Sequence, residues 1–278
     1  MFELPEVTVL AGQLKAEVTG QRVRGCVRGN SPHKFVFYGG GEPAEYESLV
    51  VGKTLGPATA RAKWIFIPLE PGYVLAWGEF GGRLLLHDPG ARLPAKHHLL
   101  LELDDGRSIS AVTQMWGFFE VLAEAKVAEH KYAGVIGVTP TDDAFTYDYW
   151  QELIGEYAAK STKKSVKALL TQDATIPGVG NSYLQDILFQ ARLHPKRPVA
   201  DLSAAEGKAL YEALTGVMAE AIAGGGRDDE VDLYGQHGGY RRVMDRKAAG
   251  QPCSRCGTTV EKIQYLGGAC YLCPSCQV

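Results

Sequence analysis

Val166-Lys-Ala-Leu-Leu-Thr-Gln172 is followed by Ile176-Pro-Gly-Val-Gly-Asn181 and then Ser182-Tyr-Leu-Gln-Asp-Ile-Leu-Phe189. The first part has helical spacing. The second part sets two glycines directly before another helical pattern. Glycines there let backbone N–H groups converge on an anion, and the helix dipole adds to that field. The anion-binding candidates are Gly178, Gly180 and Asn181, with Lys167, read as the end of the first helix, adding positive charge. A nucleotide-binding fingerprint needs its glycines after a strand, and here a helical pattern precedes them. Helix, two turns, helix around a phosphate contact fits binding to a nucleic-acid backbone. Gly-x-Gly-Asn alone is a weak motif, so a plain helix-start turn is the bland alternative.

Around this stretch the segments 146–157, 164–172, 180–191 and 203–223 read as helices, and Gly224-Gly-Gly226 ends the last one. Residues 227–250 are polar, Gly-rich and basic, a loop with the cluster Arg241, Arg242, Arg246 and Lys247. The cluster reads either as a contact for phosphates or as a solvated surface. Towards the N-terminus the texture differs. Residues 3–19 are helical, with Leu4, Val7, Leu10, Leu14 and Val18 in register and Gly20 as a stop. From about residue 22 to 125 short β-branched and aromatic runs alternate with Gly, Pro and Asp, as in Trp64-Ile-Phe-Ile67 and Tyr73-Val-Leu-Ala-Trp77. Such runs suggest an antiparallel β-sandwich or barrel.

At the other end Cys253-Ser-Arg-Cys256 precedes Cys273-Pro-Ser-Cys276 by 16 residues. Two Cys-x-x-Cys knuckles at this separation predict a structural zinc site with Cys253, Cys256, Cys273 and Cys276 as ligands. Four thiolates leave the metal no open position, so its role is to hold a hairpin over Thr258–Tyr271, its tip near Leu266-Gly267-Gly268. Disulfides or a redox motif are the alternatives. Cys270 lies off the pattern and is read as packing, and Cys26 stands alone.

The 278 residues carry 45% hydrophobic and 22% charged side chains, an ordinary globular composition. Net charge is -3 and the sequence pI is about 6.2, which weighs mildly against nucleic-acid binding without excluding it. No apolar run is long enough to cross a bilayer, and the first residues lack the pattern of a signal peptide, so a cytoplasmic location is expected, with a monomer as the default state. His33, His87, His97, His98 and His130 show no metal-ligand spacing and are assigned structural roles.

Three features occur in order: Glu3-Leu-Pro-Glu-Val7, then Lys167-Ala-Leu-Leu…Pro177-Gly-Val-Gly-Asn-Ser-Tyr183…His194-Pro195, then the cysteine finger with Gly257-Thr258 and Gln277. Together they resemble the formamidopyrimidine-DNA glycosylase and endonuclease VIII family, over essentially the whole chain. The resemblance implies an α+β multidomain fold. An N-terminal helix plus antiparallel β-sandwich would fill 1–135, a helix–two-turn–helix domain 136–236, and a zinc-finger β-hairpin 237–278. It implies base-excision repair of damaged or abasic DNA by flipping out a base and attacking C1′ with the N-terminal amine. It carries catalytic roles to Glu3, Glu6 and the Met1 amine, a phosphate contact (or a substitute nucleophile) to Lys63, and phosphate binding to Asn181.

The family's nucleophilic Pro after the initiator Met is Phe2 here, and Met1 is expected to stay because trimming needs a small second residue. The void-filling loop reads Gln114-Met115-Trp116-Gly117, with Met115 where Arg is usual and Trp116 as a wedge. A second loop, Gly78-Glu79-Phe80-Gly81, offers Phe80 as a wedge and Glu79 as a charge that repels phosphate. Gly267-Gly268 stands where the finger carries Arg. The lesion-recognition loop corresponds to 227–242, with four acids in residues 227–232. Three readings are open: a glycosylase with altered or absent AP-lyase activity, in which Glu3 activates water; a catalytically inactive damage-binding paralogue; and a zinc-stabilised protein-interaction module.

Overall fold

Leu4, Val7, Leu10, Leu14 and Val18 are all buried on one face of helix α1 (Leu4–Val18). Glu3 is its N-cap, and the Glu3 amide donates to the Glu6 carboxylate at 2.9 Å in a reciprocal capping box. The computed structural model describes residues 1–29, 34–39, 41–114, 116–172 and 175–278. The chain divides into two units, Met1–Ile136 with Ile222–Tyr240, and Gly137–Ala221 with Arg241–Val278.

In the first unit α1 is followed by β1 (Val23–Val27), β2 (Val36–Phe37), α2 (Pro43–Val50), β3 (Thr54–Leu55), β4 (Thr59–Arg61), β5 (Trp64–Glu70) and β6 (Tyr73–Gly78). Then come β7 (Gly82–His87), β8 (Leu99–Leu103), β9 (Ser108–Thr113) and β10 (Gly117–Ala123). One sheet has the order β1-β8-β9-β7, and the other β2-β10-β6-β5-β3 with β4 also on β5. The core lies between them. Ile65, Ile67, Leu75, Trp77 and Phe119 of one sheet join Leu99, Leu101, Leu103 and Ile109 of the other in one buried cluster, which also takes in Leu10 and Leu14 of α1. Each fully buried side chain of this kind contributes about 1.5–3 kcal/mol. This is the expected helix-plus-sandwich, with one departure: β2 pairs with β10 in parallel.

The loop after the last helix is a folded part of this unit. The Leu86 amide donates to the Leu233 carbonyl at 2.9 Å, and the Leu233 amide donates to Gln13 Oε1 at 2.9 Å.

The second unit holds α3 (Tyr147–Lys160), α4 (Val166–Thr171), α5 (Asn181–Gln190), most of α6 (Ala204–Ala223) and a hairpin of β11 (Glu261–Tyr265) and β12 (Gly268–Leu272). Ser165 caps α4 by accepting from the Ala168 amide. Tyr183, Leu184, Ile187 and Leu188 bury α5. Gly178, with φ +92°, makes the turn that leads into it. Two buried polar residues on α5 anchor the C-terminal segment. Asp186 accepts from the Val243 and Met244 amides, and Gln185 donates to the Ala269 carbonyl at 3.0 Å while accepting from the Tyr271 amide. The hairpin's backbone is thus tied to α5 through the Gln185 side chain. No helix among the described residues is long and apolar enough to cross a membrane.

Candidate active site and nucleic-acid contacts

In the first unit a cavity of about 190 Å³ is lined by Met1, Gly81, Gln114, Trp116 and Glu230, among others. A packing choice fixes the N-terminal segment beside it. Phe2 is fully buried, its ring 5.0 Å from that of Phe80 in an edge-to-face contact, and its amide donates to the Phe80 carbonyl at 2.9 Å. The nitrogen of Phe2 is therefore committed to the fold, and the α-amine that reaches the cavity is that of Met1, 3.6 Å from Glu230 Oε1. Phe80 is 1% exposed, so it is a core residue and not a wedge. The local motif places it in a loop, but the apolar demand of the sandwich decides its orientation.

Behind the amine, Glu3 and Glu6 are both buried. The residue that compensates them is Arg227, itself buried, which sequence reasoning leaves inside an undifferentiated polar loop. Its amide donates to Glu6 Oε1 at 3.1 Å. Its guanidinium lies 3.4 Å from Glu6 Oε2 and 3.8 Å from Glu3 Oε1. It also donates to the Met1 carbonyl at 3.1 Å, to Glu230 at 2.9 Å and to Asp229 at 3.3 Å. Two of the loop's acids, Asp229 and Glu230, thus hold a cation that in turn holds the N-terminal segment. Nothing local signals this, because Arg227 and Glu6 are 221 residues apart.

Lys63 stands in the turn between β4 and β5, its ammonium 3.9 Å from the Glu79 carboxylate. Glu79 thus partly neutralises the cation expected to meet phosphate. Trp116 is 39% exposed at the cavity rim. Met115 and His33 lie outside the described residues. His130 has the structural role expected of it: Nε2 is 2.9 Å from Glu120, and Nδ1 accepts from the Ala133 amide. Burial raises the Glu120 carboxyl above its ordinary value, and His130 partly offsets this.

In the second unit Gly178 and Gly180 are buried before α5, with Gly180 as its N-cap and Asn181 exposed beside it. Lys167 lies in the first turn of α4 and not at the end of a helix. It is 2% exposed and spends its ammonium on the Tyr265 carbonyl at 2.7 Å and on Cys270 Sγ at 3.3 Å. Its charge therefore sits beneath the surface, at the hairpin. Cys270 is the acceptor for that lysine as well as core. Asn181 Nδ2 donates to the Ala269 carbonyl at 3.2 Å, and a Cβ on Gly268 would come within 3.5 Å of both Asn181 Oδ1 and Lys167 Nζ. The hairpin tip and the glycine turn thus form one patch. Arg241 is exposed and Arg242 half-buried, in the segment that Asp186 anchors.

The sulfurs of Cys253, Cys256, Cys273 and Cys276 lie within 4.8 Å of one another. The separations of 3.4 Å for Cys256–Cys273 and 4.0 Å for Cys253–Cys276 are too long for a disulfide bond. All six cysteines are free. A donor set of four soft thiols converging on one point fits a tetrahedral metal ion.

The family comparisons agree with this geometry. The formamidopyrimidine-DNA glycosylase N-terminal domain model matches residues 1–115, and the formamidopyrimidine-DNA glycosylase H2TH domain model matches residues 136–231. A formamidopyrimidine-DNA glycosylase of Roseiflexus sp. (strain RS-1) is 33% identical across 100% of both chains. That of Chloroflexus aggregans is 32% identical across 100% of this chain and 99% of its own. The chain belongs to the formamidopyrimidine-DNA glycosylase family. Among solved structures, Lactococcus lactis Fpg in complex with DNA containing N7-benzyl-Fapy-dG superposes with a TM-score of 0.85 at 24% identity, over 99% of each chain. The same enzyme with abasic-site DNA gives 0.83 at 23% identity, again over 99% of each. These establish a shared fold.

Proposed function

We propose that this protein is a base-excision-repair DNA glycosylase that binds damaged or abasic DNA and releases the damaged base by hydrolysis, with altered or absent AP-lyase activity. The observation that carries the reading is the buried pair Glu3 and Glu6, held by Arg227 behind a cavity that the Met1 amine reaches. In the hydrolytic route Glu3 takes a proton from water, the water oxygen bonds to C1′, and the N-glycosidic bond breaks with its electron pair leaving on the base. Glu6 caps the Glu3 amide and fixes where the Glu3 carboxylate sits. The Met1 amine can form an imine at C1′ of an abasic sugar, but as a primary amine one residue before the usual position, and with Glu230 nearby.

Trp116 fits a wedge into the gap left by a flipped base. Lys63 contacts phosphate once Glu79 yields it. In the second unit Gly178, Gly180 and Asn181 offer N–H donors to the DNA backbone, with Lys167 supplying a buried positive charge and Arg241 and Arg242 flanking contacts. A structural zinc ion on Cys253, Cys256, Cys273 and Cys276 would hold the hairpin, and supplies no step of the reaction. The protein acts in the cytoplasm, where its DNA substrate is.

A second reading, a damage-binding protein without catalysis, is favoured by the two ion pairs Met1–Glu230 and Lys63–Glu79, which occupy the groups the family would use. Base release from a panel of lesion duplexes separates the two. The first reading expects release that Glu3→Gln abolishes. Tight lesion binding with no release from any substrate would leave only the second.

A further inference from the structure

Beyond the cavity, the first unit carries an exposed aromatic strip. Trp116, at the rim, lies 5.8 Å from Phe35 and 5.3 Å from Phe37. Phe37 stacks on Phe118 at 5.0 Å, and Phe118 lies 5.4 Å from Tyr132. Phe118 is buried and acts as the base of the strip. Phe35, Phe37, Trp116 and Tyr132 are between 37% and 47% exposed. Three exposed rings in contact, with a fourth joined to them through buried Phe118, are not how a solvated surface is built, since such area ordinarily belongs to an interface. Two lysines lie over the outer rings. Lys34 Nζ lies 4.8 Å over the Phe35 ring and Lys131 Nζ 5.1 Å over the Tyr132 ring, both lysines exposed. Glu120, two residues along β10 from Phe118, is buried against His130 and presents no carboxylate to this face.

We infer that this strip is a binding platform for an unpaired stretch of DNA strand, whose bases stack on Trp116, Phe35, Phe37 and Tyr132 while Lys34 and Lys131 meet its phosphates. Aromatic faces interleaved with cations are what a single strand needs, because every base has a π-face and every linkage a charge. A duplex would hide its base faces and meet only the lysines. The strip starts at the cavity rim, so a strand lying on it leads to the site. The inference does not rest on the glycosylase reading, since stacking needs no chemistry.

The test measures fluorescence anisotropy of a labelled, undamaged oligothymidylate single strand and of an undamaged hairpin duplex, at one salt concentration, with the full-length protein. The single strand should bind at least as tightly as the duplex. Trp116→Leu and Tyr132→Leu, which keep apolar area but remove the ring, should each weaken single-strand binding about tenfold. Tyr132→Phe, which keeps the ring, should not. Leucine variants that fold and bind the single strand like the parent would overturn the platform. So would a preference for duplex that the same substitutions leave unchanged, or a concentration-dependent dimer that they dissolve without touching single-strand binding. Base release from a lesion duplex, scored on the same samples, keeps the two conclusions apart. Release without single-strand binding overturns only the platform, and single-strand binding without release overturns only the catalytic reading.

Discussion

The amide of Phe2 donates to the carbonyl of Phe80 at 2.9 Å while their rings meet edge to face 5.0 Å apart. Phe2 is thus a core residue that anchors the N-terminal segment to the loop between β6 and β7. Phe2→Ala and Phe80→Ala should each cost about 3 kcal/mol in urea unfolding, as large-to-small core changes do. The double variant should cost about 1 kcal/mol less than the sum, the part the two rings share. Strict additivity would show that they pack independently.

Arg227 neutralises two buried carboxylates. Replacing it by Met leaves Glu3 and Glu6 without their cation, and should destabilise the protein by about 3–5 kcal/mol. Arg227→Lys keeps the charge but loses the planar fork that reaches Met1, Glu230 and Glu6 together, so it should recover stability better than base release. Equal recovery of both would assign Arg227 a purely structural role.

Arg227 and Phe80 mark the limit of what the sequence makes legible. The knuckles at Cys253–Cys256 and Cys273–Cys276 and the glycine turn before Asn181 are local patterns, and each folds as its spacing demands. Arg227 contacts partners from the far end of the chain, and no spacing encodes that. Phe80 escapes a local reading for a related reason: loop position suggests exposure, but the turn at Glu79, with φ +50°, swings the next ring inward. The parallel β2–β10 pair is likewise a matter of topology, invisible in the alternation of either strand.

Cys26 gives a pH prediction. Burial, with a smaller contribution from Glu47, pushes its thiol up from 9.0 to about 12. The raised value means that the neutral thiol suits the fold. The associated stability is fully present below the unfolded value of 9.0 and is lost as pH rises towards about 12. A Cys26→Ala variant should lack that alkaline loss. In the native protein at mildly alkaline pH, Cys26 should resist a thiol reagent and react only on unfolding, read by mass spectrometry. Rapid native labelling would contradict the burial.

A structural zinc on the four cysteines, as proposed, predicts that the hairpin depends on it. Elemental analysis should find one zinc per chain, and Cys273→Ser or a strong chelator should remove it. Amide exchange should then rise across Glu261–Leu272, and the contacts of Lys167 with Tyr265 and of Gln185 with Ala269 should go with it. On the proposed DNA-backbone role of Asn181, DNA affinity should fall as well, because Asn181 loses its bond to Ala269. Exchange that stays slow after the metal is gone would mean that the hairpin holds without it.

Gly81 decides whether the Met1 amine can act at all. A Cβ there would stand 2.6 Å from the amine nitrogen and 2.5 Å from the Met1 Cα, closer than any unstrained contact, and the neighbouring atoms are backbone. The N-terminal segment must then shift, while Phe2 stays held by Phe80. If the amine attacks C1′, Gly81→Ala should reduce borohydride-trapped adduct on abasic duplex by about a hundredfold or more, since misplacing a reacting atom by an ångström costs that much. Release of a damaged base, which in the hydrolytic route needs Glu3 and water, should fall far less. Adduct that survives Gly81→Ala but is lost in Lys63→Ala would move the nucleophile to Lys63. Adduct absent from the parent protein as well would leave hydrolysis as the route.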